Sequence, residues 1–151
     1  MTDKTFGTKS LDVRYREING AYLVAMERGE IHVIKRADGS IALPGAVIDG
    51  EVSHEDTILG VCLDQTGYDV QVADYVTDAD LFDTDNALHV TETYYSGSFV
   101  EKLAPPRDPS VKHERLSLQN IDLLSPMQRY AVLQCAEMLR ADAHGSDDED
   151  L

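Results

Sequence analysis

The spacing of apolar residues along the chain switches between two periods, and the switches outline the fold. Val13 to Glu17 alternates, with Val13 and Tyr15 set against Arg14 and Arg16, which predicts a short strand. Ala21 to Met26 is a continuous apolar run and reads as a central strand. Arg28-Gly29 turns the chain into a second strand at Ile31 to Lys35. Asp38-Gly39 is a two-residue hairpin signal that returns it through Ile41 to Pro44. Beyond Glu51 the period changes to that of a helix. Ser53 is placed to cap it, Glu55 and Asp56 suit the positive end of its dipole, and Ile58, Leu59, Cys62 and Leu63 share one face. Gly67 stops it. Strands are then expected at Val70 to Val76 and Ala87 to Val100, separated by an acidic loop carrying Asp78, Asp80, Asp83 and Asp85. Pro105-Pro106 and Pro109 mark a stiff loop, and Glu114 to Leu118 reads as a further short strand. Ser125-Pro126-Met127-Gln128 combines a Ser cap, Pro at the first helical position and Gln three residues after the cap. Met127, Tyr130, Ala131, Gln134 and Met138 follow at helical spacing. The order of elements predicts an α/β fold, a mixed β-sheet between two main helices.

Composition narrows the class. The length of 151 residues suits one domain. It is expected at 13–140, after an N-terminal arm at 1–12 and before an acidic, disordered tail at 141–151, where Asp147-Asp148-Glu149-Asp150 has nothing apolar to bury. A formal charge of −15 argues against a nucleic acid as partner, and equally against an anionic membrane surface. No apolar run is long enough to span a bilayer, and Met1-Thr2-Asp3-Lys4 lacks the start of a signal peptide, so a cytoplasmic location is expected. Cys62 and Cys135 read as buried free thiols.

Candidate chemistry lies in Leu43-Pro44-Gly45-Ala46-Val47-Ile48-Asp49-Gly50-Glu51 and in Asp64-Gln65-Thr66-Gly67-Tyr68. Together with Gly20-Ala21-Tyr22, His113-Glu114 and the helix from Ser125, these segments resemble a Nudix domain in their order, over residues 6 to 139. The resemblance implies a Nudix-like α/β/α sandwich that handles nucleotide or nucleotide-sugar diphosphates with Mg²⁺ or Mn²⁺. It also implies a possible homodimer. The family pattern is Gly, five residues, Glu, seven residues, then Arg-Glu-apolar-any-Glu-Glu-any-Gly-apolar. Gly45 and Glu51 fit the first spacing, but Gly67 falls one residue late. Counted back from Gly67, the three helical carboxylate positions hold Val61, Asp64 and Gln65. Counted forward from Glu51, they hold Gly60, Leu63 and Asp64. The family Arg becomes Gly60 or Leu59.

A hard divalent cation needs several oxygen ligands, and carboxylates at i, i+3 and i+4 of one helix can supply them. Only Asp64 survives in either register. Glu51, Asp64 and Glu114 are therefore the candidate metal ligands and catalytic residues, with His54 and Glu55 as substitutes in the first helical turn. Arg107, Lys112 and His113, in the densest basic stretch of an acidic chain, are the candidate clamp for the anionic ligand. The expectation is a degenerate box and a binding or regulatory module with lost or weakened catalysis. The alternative is a divergent, active hydrolase. The five histidines show no zinc-binding spacing, and neither a Gly-x-Ser-x-Gly elbow nor a Gly-rich phosphate loop is present.

Overall fold

A computed structural model describes residues 2–149, with side chains through residue 142. Its strands are β1 (Thr5–Phe6), β2 (Arg16–Val24), β3 (Met26–Glu27), β4 (Glu30–Arg36), β5 (Ile41–Ala42), β6 (Gly45–Val47), β7 (Tyr68–Asp83), β8 (Leu88–Lys102) and β9 (Val111–Ser117). Helix α1 (His54–Thr66) follows β6. A 3-10 turn at Leu118–Leu123 leads into α2 (Pro126–Glu149).

The strands form two sheets. One is mixed, in the order β1-β7-β8-β2-β6, with β2 parallel to β8 and β1 parallel to β7. The other is antiparallel, with β4 at its centre between β3, β5 and β9. Alternation along β2 divides the core between the two helices. Ala21 and Leu23 pack with Ile58 and Cys62 of α1. Val24, with Tyr94 of β8, packs instead with Met127, Ala131, Val132 and Cys135 of α2. The mixed sheet between two helices is the expected architecture.

Three expectations change. Of the alternating segment at 13–17 only Arg16 and Glu17 are strand, and they run on through Val24 of the apolar run as one strand, β2, aligned with β8 from Arg16↔Leu88 to Val24↔Ser96. The acidic loop is strand for most of its length, because its carboxylates find partners. Asp80 accepts hydrogen bonds from Thr2 Oγ1 at 2.8 Å and from His89 Nε2 at 2.7 Å, and Asp78 accepts the Asp3 N–H at 2.7 Å. The capping box of α2 is only half made. The Gln128 N–H donates to Ser125 Oγ at 3.3 Å, but the Gln128 side chain accepts the Leu43 N–H at 2.9 Å and so ties α2 to the box loop.

The arm is docked through β1, with Phe6 edge-on to Tyr130. Helix α2 runs through residue 149, so the boundary expected at 140 falls within it. Of the expected acidic tail, the side chains from 143 and residues 150 and 151 lie outside the described residues. Among the described residues, no helix is long and apolar enough to cross a membrane.

Candidate functional site

Helix α1 is framed at both ends. Ser53 Oγ accepts the Asp56 N–H at 3.1 Å, and Gly67, at φ 78°, donates its N–H to Leu63 O at 2.9 Å. Ile58, Cys62 and Thr66 are buried, one turn apart. Cys62 thus fills the apolar position between the carboxylate positions, and the helix follows the register counted back from Gly67. Val61, Asp64 and Gln65 stand at those positions, and Gly60 stands where the family has Arg. A Cβ on Gly60 would meet nothing within 4 Å. Gly60→Ala should therefore raise stability by about 0.5–1 kcal/mol, read as a higher urea midpoint at unchanged slope.

The candidate ligands do not assemble. Among the described residues, no three His, Cys, Asp or Glu side chains form a group that could hold a metal ion. Glu51 is exposed in the turn before α1, and Glu114 is exposed on β9 opposite Val33. Asp64 is engaged with the Pro-rich loop: its carbonyl accepts the N–H groups of Arg107 (2.9 Å) and Asp108 (3.1 Å), and its Oδ1 lies 3.9 Å from the Arg107 guanidinium. That ion pair is solvent-exposed and worth little by itself. His54, a substitute ligand in the sequence reading, pairs with the Tyr95 hydroxyl at 2.8 Å. One ion-paired carboxylate and one amide on the helix face do not fit the oxygen-rich shell of a hard divalent cation.

Cations converge elsewhere. A cavity of about 430 Å³ lies at the open end of the β4–β9 pair, lined by Lys35, Arg36, Lys112, Glu114, Ser110 and Pro109 among others. Lys35 and Lys112 are direct cross-strand partners on the face that also carries Glu114. Like charges placed opposite each other destabilise a sheet. An anion held between them would offset that repulsion. Lys35 and Arg36 escaped the sequence reading. The available signal was a dibasic pair at a strand end, just before the Asp38-Gly39 turn and in register with the basic stretch near Lys112.

The other two clamp candidates lie outside this cavity. Arg107 sits beside Asp64. His113 faces the opposite side of the sheet from Lys112, because neighbouring strand residues alternate. Its Nε2 is 2.8 Å from His32 Nδ1, and both imidazoles stack on Phe99, with ring centroids 4.8 Å and 4.1 Å away. His32 Nε2 reaches Glu27 Oε2 at 3.2 Å. Burial depresses both imidazoles, His113 to about 4, with neighbouring His32, Lys102 and Arg115 adding to the effect. A neutral, stacked imidazole is a poor anion clamp. On the α2 face, Tyr94 donates its phenol to Glu92. Burial raises the Glu92 carboxyl, opposed by hydrogen bonds from Tyr94 and Tyr22 and by the charge of Arg36.

Solved structures with the same architecture include Nudix hydrolases. A MutT Nudix hydrolase from Burkholderia pseudomallei superposes with a TM-score of 0.68 at 20% identity, covering 79% of this chain and 98% of its own. A Nudix hydrolase from Nitrosomonas europaea gives 0.68 at 16% identity, covering 84% and 90%. An ADP-ribose pyrophosphatase from Streptococcus suis gives 0.65 at 22% identity, covering 82% and 92%. No family model matches the chain, and no curated protein matches it by sequence. The fold is therefore the Nudix fold, carried here by a sequence far from those of the solved examples.

Proposed function

We propose that this protein is a Nudix-fold binding module for nucleotide or nucleotide-sugar diphosphates, with metal-dependent hydrolysis lost or severely weakened. The reading rests on one observation: Lys35, Arg36 and Lys112 line a single cavity of a chain with net charge −15, while the carboxylate positions of α1 hold Val61, Asp64 and Gln65. Three cations can neutralise a diphosphate without a metal, through charge-assisted hydrogen bonds. The structural neighbour named as an ADP-ribose pyrophosphatase supports the choice of a diphosphate over other anions. A divergent hydrolase using Glu51, Asp64 and Glu114 with Mg²⁺ or Mn²⁺ is the competing reading. It is favoured by the place of Glu114 on the same cavity wall as Lys112.

Titration calorimetry with inorganic pyrophosphate and ADP-ribose, in Mg²⁺ and again in EDTA, separates the two. The binding-module reading expects similar affinities in both buffers and about a tenfold loss for Lys35→Ala or Lys112→Ala, roughly 1.4 kcal/mol each. Metal-dependent release of a monophosphate from ADP-ribose, abolished in Asp64→Asn, would establish the hydrolase instead. Absence of binding in both buffers would overturn both.

A further inference from the structure

Strand β7 is paired with β8 from Tyr68 to Asp83, but its other edge is covered only in part. Strand β1 lies beside Asp80 and Leu81. Asp3 Oδ2 accepts the Tyr75 hydroxyl at 3.0 Å and the Thr77 hydroxyl at 2.9 Å. Nearer α1, from Tyr68 to Ala73, no strand pairs with that edge among the described residues. The register shift between Val72 and Tyr75 closes the open stretch, and there the Asp74 N–H turns back to Ser96 Oγ at 3.1 Å.

A cavity of about 390 Å³ follows the open stretch. It is lined by residues 69–72 of β7, by Glu55 and Leu59 of α1 and by Val100 of β8. Successive strand side chains face opposite sides, so a cavity that touches these neighbours in a row wraps the edge and is walled by its backbone. Its apolar part is Leu59, Val72 and Val100 over buried Val70. Val100 is the extra residue of a bulge, since Val70 pairs with Phe99 and Asp69 with Glu101, and it stands 59% exposed.

The charges at this edge have one sign. Glu55 and Asp69 line the cavity, Glu101 is exposed opposite Asp69, and no Lys or Arg is among the lining residues. Bare edges are usually shielded by charges and bulges. Shielding by carboxylates alone is selective. A second copy, added antiparallel, would set these carboxylates against their own kind, which destabilises strand pairing. An anionic membrane surface is repelled by a chain of net charge −15. An extended segment rich in Lys or Arg meets only opposite charge here.

We propose that the stretch Tyr68–Ala73 is a docking edge for an extended cationic segment of a partner protein, added as a further strand. Aliphatic side chains on one face of the added strand fill the space between Leu59, Val72 and Val100. Lys or Arg on its other face meets Asp69, in the field of Glu101. The edge shares no lining residue with the basic cavity, so it stands apart from the diphosphate reading.

Fluorescence anisotropy of the intact protein with a strand-length, end-blocked peptide alternating Lys and Val tests the proposal. Two further versions carry N-methyl groups on every Val or on every Lys. Only one of these sets turns its N–H groups toward β7. One version should therefore bind at least about tenfold more weakly, and the other within about threefold of the parent. Association by charge alone would treat them alike. Val100→Lys and Asp69→Lys, both at exposed positions, should each weaken the parent peptide about tenfold at an unchanged thermal midpoint. No saturable binding of the parent peptide, equal losses for the two methylated versions, or unchanged affinity in both variants would overturn the docking edge. A concentration-dependent dimer of the wild type that Val100→Lys breaks would also overturn it, by assigning the edge to a second copy.

Discussion

Gly67→Ala should cost this protein at least about 3 kcal/mol of stability, a large share of what a single domain has. Gly67 ends α1 at φ 78°, where a side chain is disfavoured by about 1–2 kcal/mol. The surroundings add more. A Cβ at this position would lie 1.9 Å from the carbonyl oxygen of Ala104 and 3.0 Å from its carbonyl carbon. Both atoms are backbone, so no rotamer change relieves the overlap. The Pro-rich loop must move away, and the Leu103 and Ala104 N–H groups, which donate to Gly67 O at 2.8 Å and 3.3 Å, would lose their acceptor. Urea unfolding should show a much lower midpoint than the wild type. The same loop carries Pro109 and Ser110, which line the basic cavity, so a variant that still folds should also bind diphosphates more weakly. A loss below about 1 kcal/mol would mean that the loop is not packed on the helix end as described.

The second large effect is acid sensitivity across the His32–His113 pair. The ordinary histidine value is 6.5, and burial holds His113 near 4, with His32 also lowered by burial. Between these values the unfolded chain takes up protons that the folded chain refuses. Stability is therefore complete above about 6.5 and falls as the pH drops toward about 4. Each refused proton contributes up to about 1.4 kcal/mol per pH unit, less whatever solvent screening removes at a partly exposed site. His89 acts with the opposite sign. Although partial burial lowers it, Asp80 and Glu17 raise it overall, so its contribution is present below 6.5 and lost as the pH rises. The carboxylates held low, such as Asp80 and Glu27, lose their contribution only as the pH falls through and below 3.8 and 4.5. His113→Phe, which keeps a ring to stack on Phe99, isolates the pair. Its stability should fall less steeply between pH 6.5 and 4 than that of the wild type. An unchanged slope would remove His113 as the cause.

How much of the candidate site was legible depended on how local its determinants are. The ends of α1 were readable because a Ser cap and a Gly stop act within one turn of chain. Its register was not. Gly45 and Gly67 each implied a count, and the two disagreed by one residue until the burial of Cys62 decided between them. Lys112, which lines the basic cavity, could be singled out because it lies in a visibly basic stretch. Lys35 and Arg36 were not, because strand pairing brings them across from residues more than seventy positions away. His113 lies away from the basic cavity for a related reason: adjacent strand residues face opposite sides, and nothing local says which side holds the cavity.

The sequence by itself determined the order of the main strands and the two helices, the caps of α1, the start of α2, and the single carboxylate, Asp64, among Val61, Asp64 and Gln65. Each of these is a property of neighbouring residues: a period, a turn or a spacing. Only the tertiary structure decided that β2 runs parallel beside β8, that the acidic segment of β7 is a strand, that Asp64 pairs with Arg107, and that three cations share one cavity. Those outcomes depend on which distant segments meet. The free energy of that meeting lies in burial of the two apolar clusters on either side of the mixed sheet, summed over the whole chain.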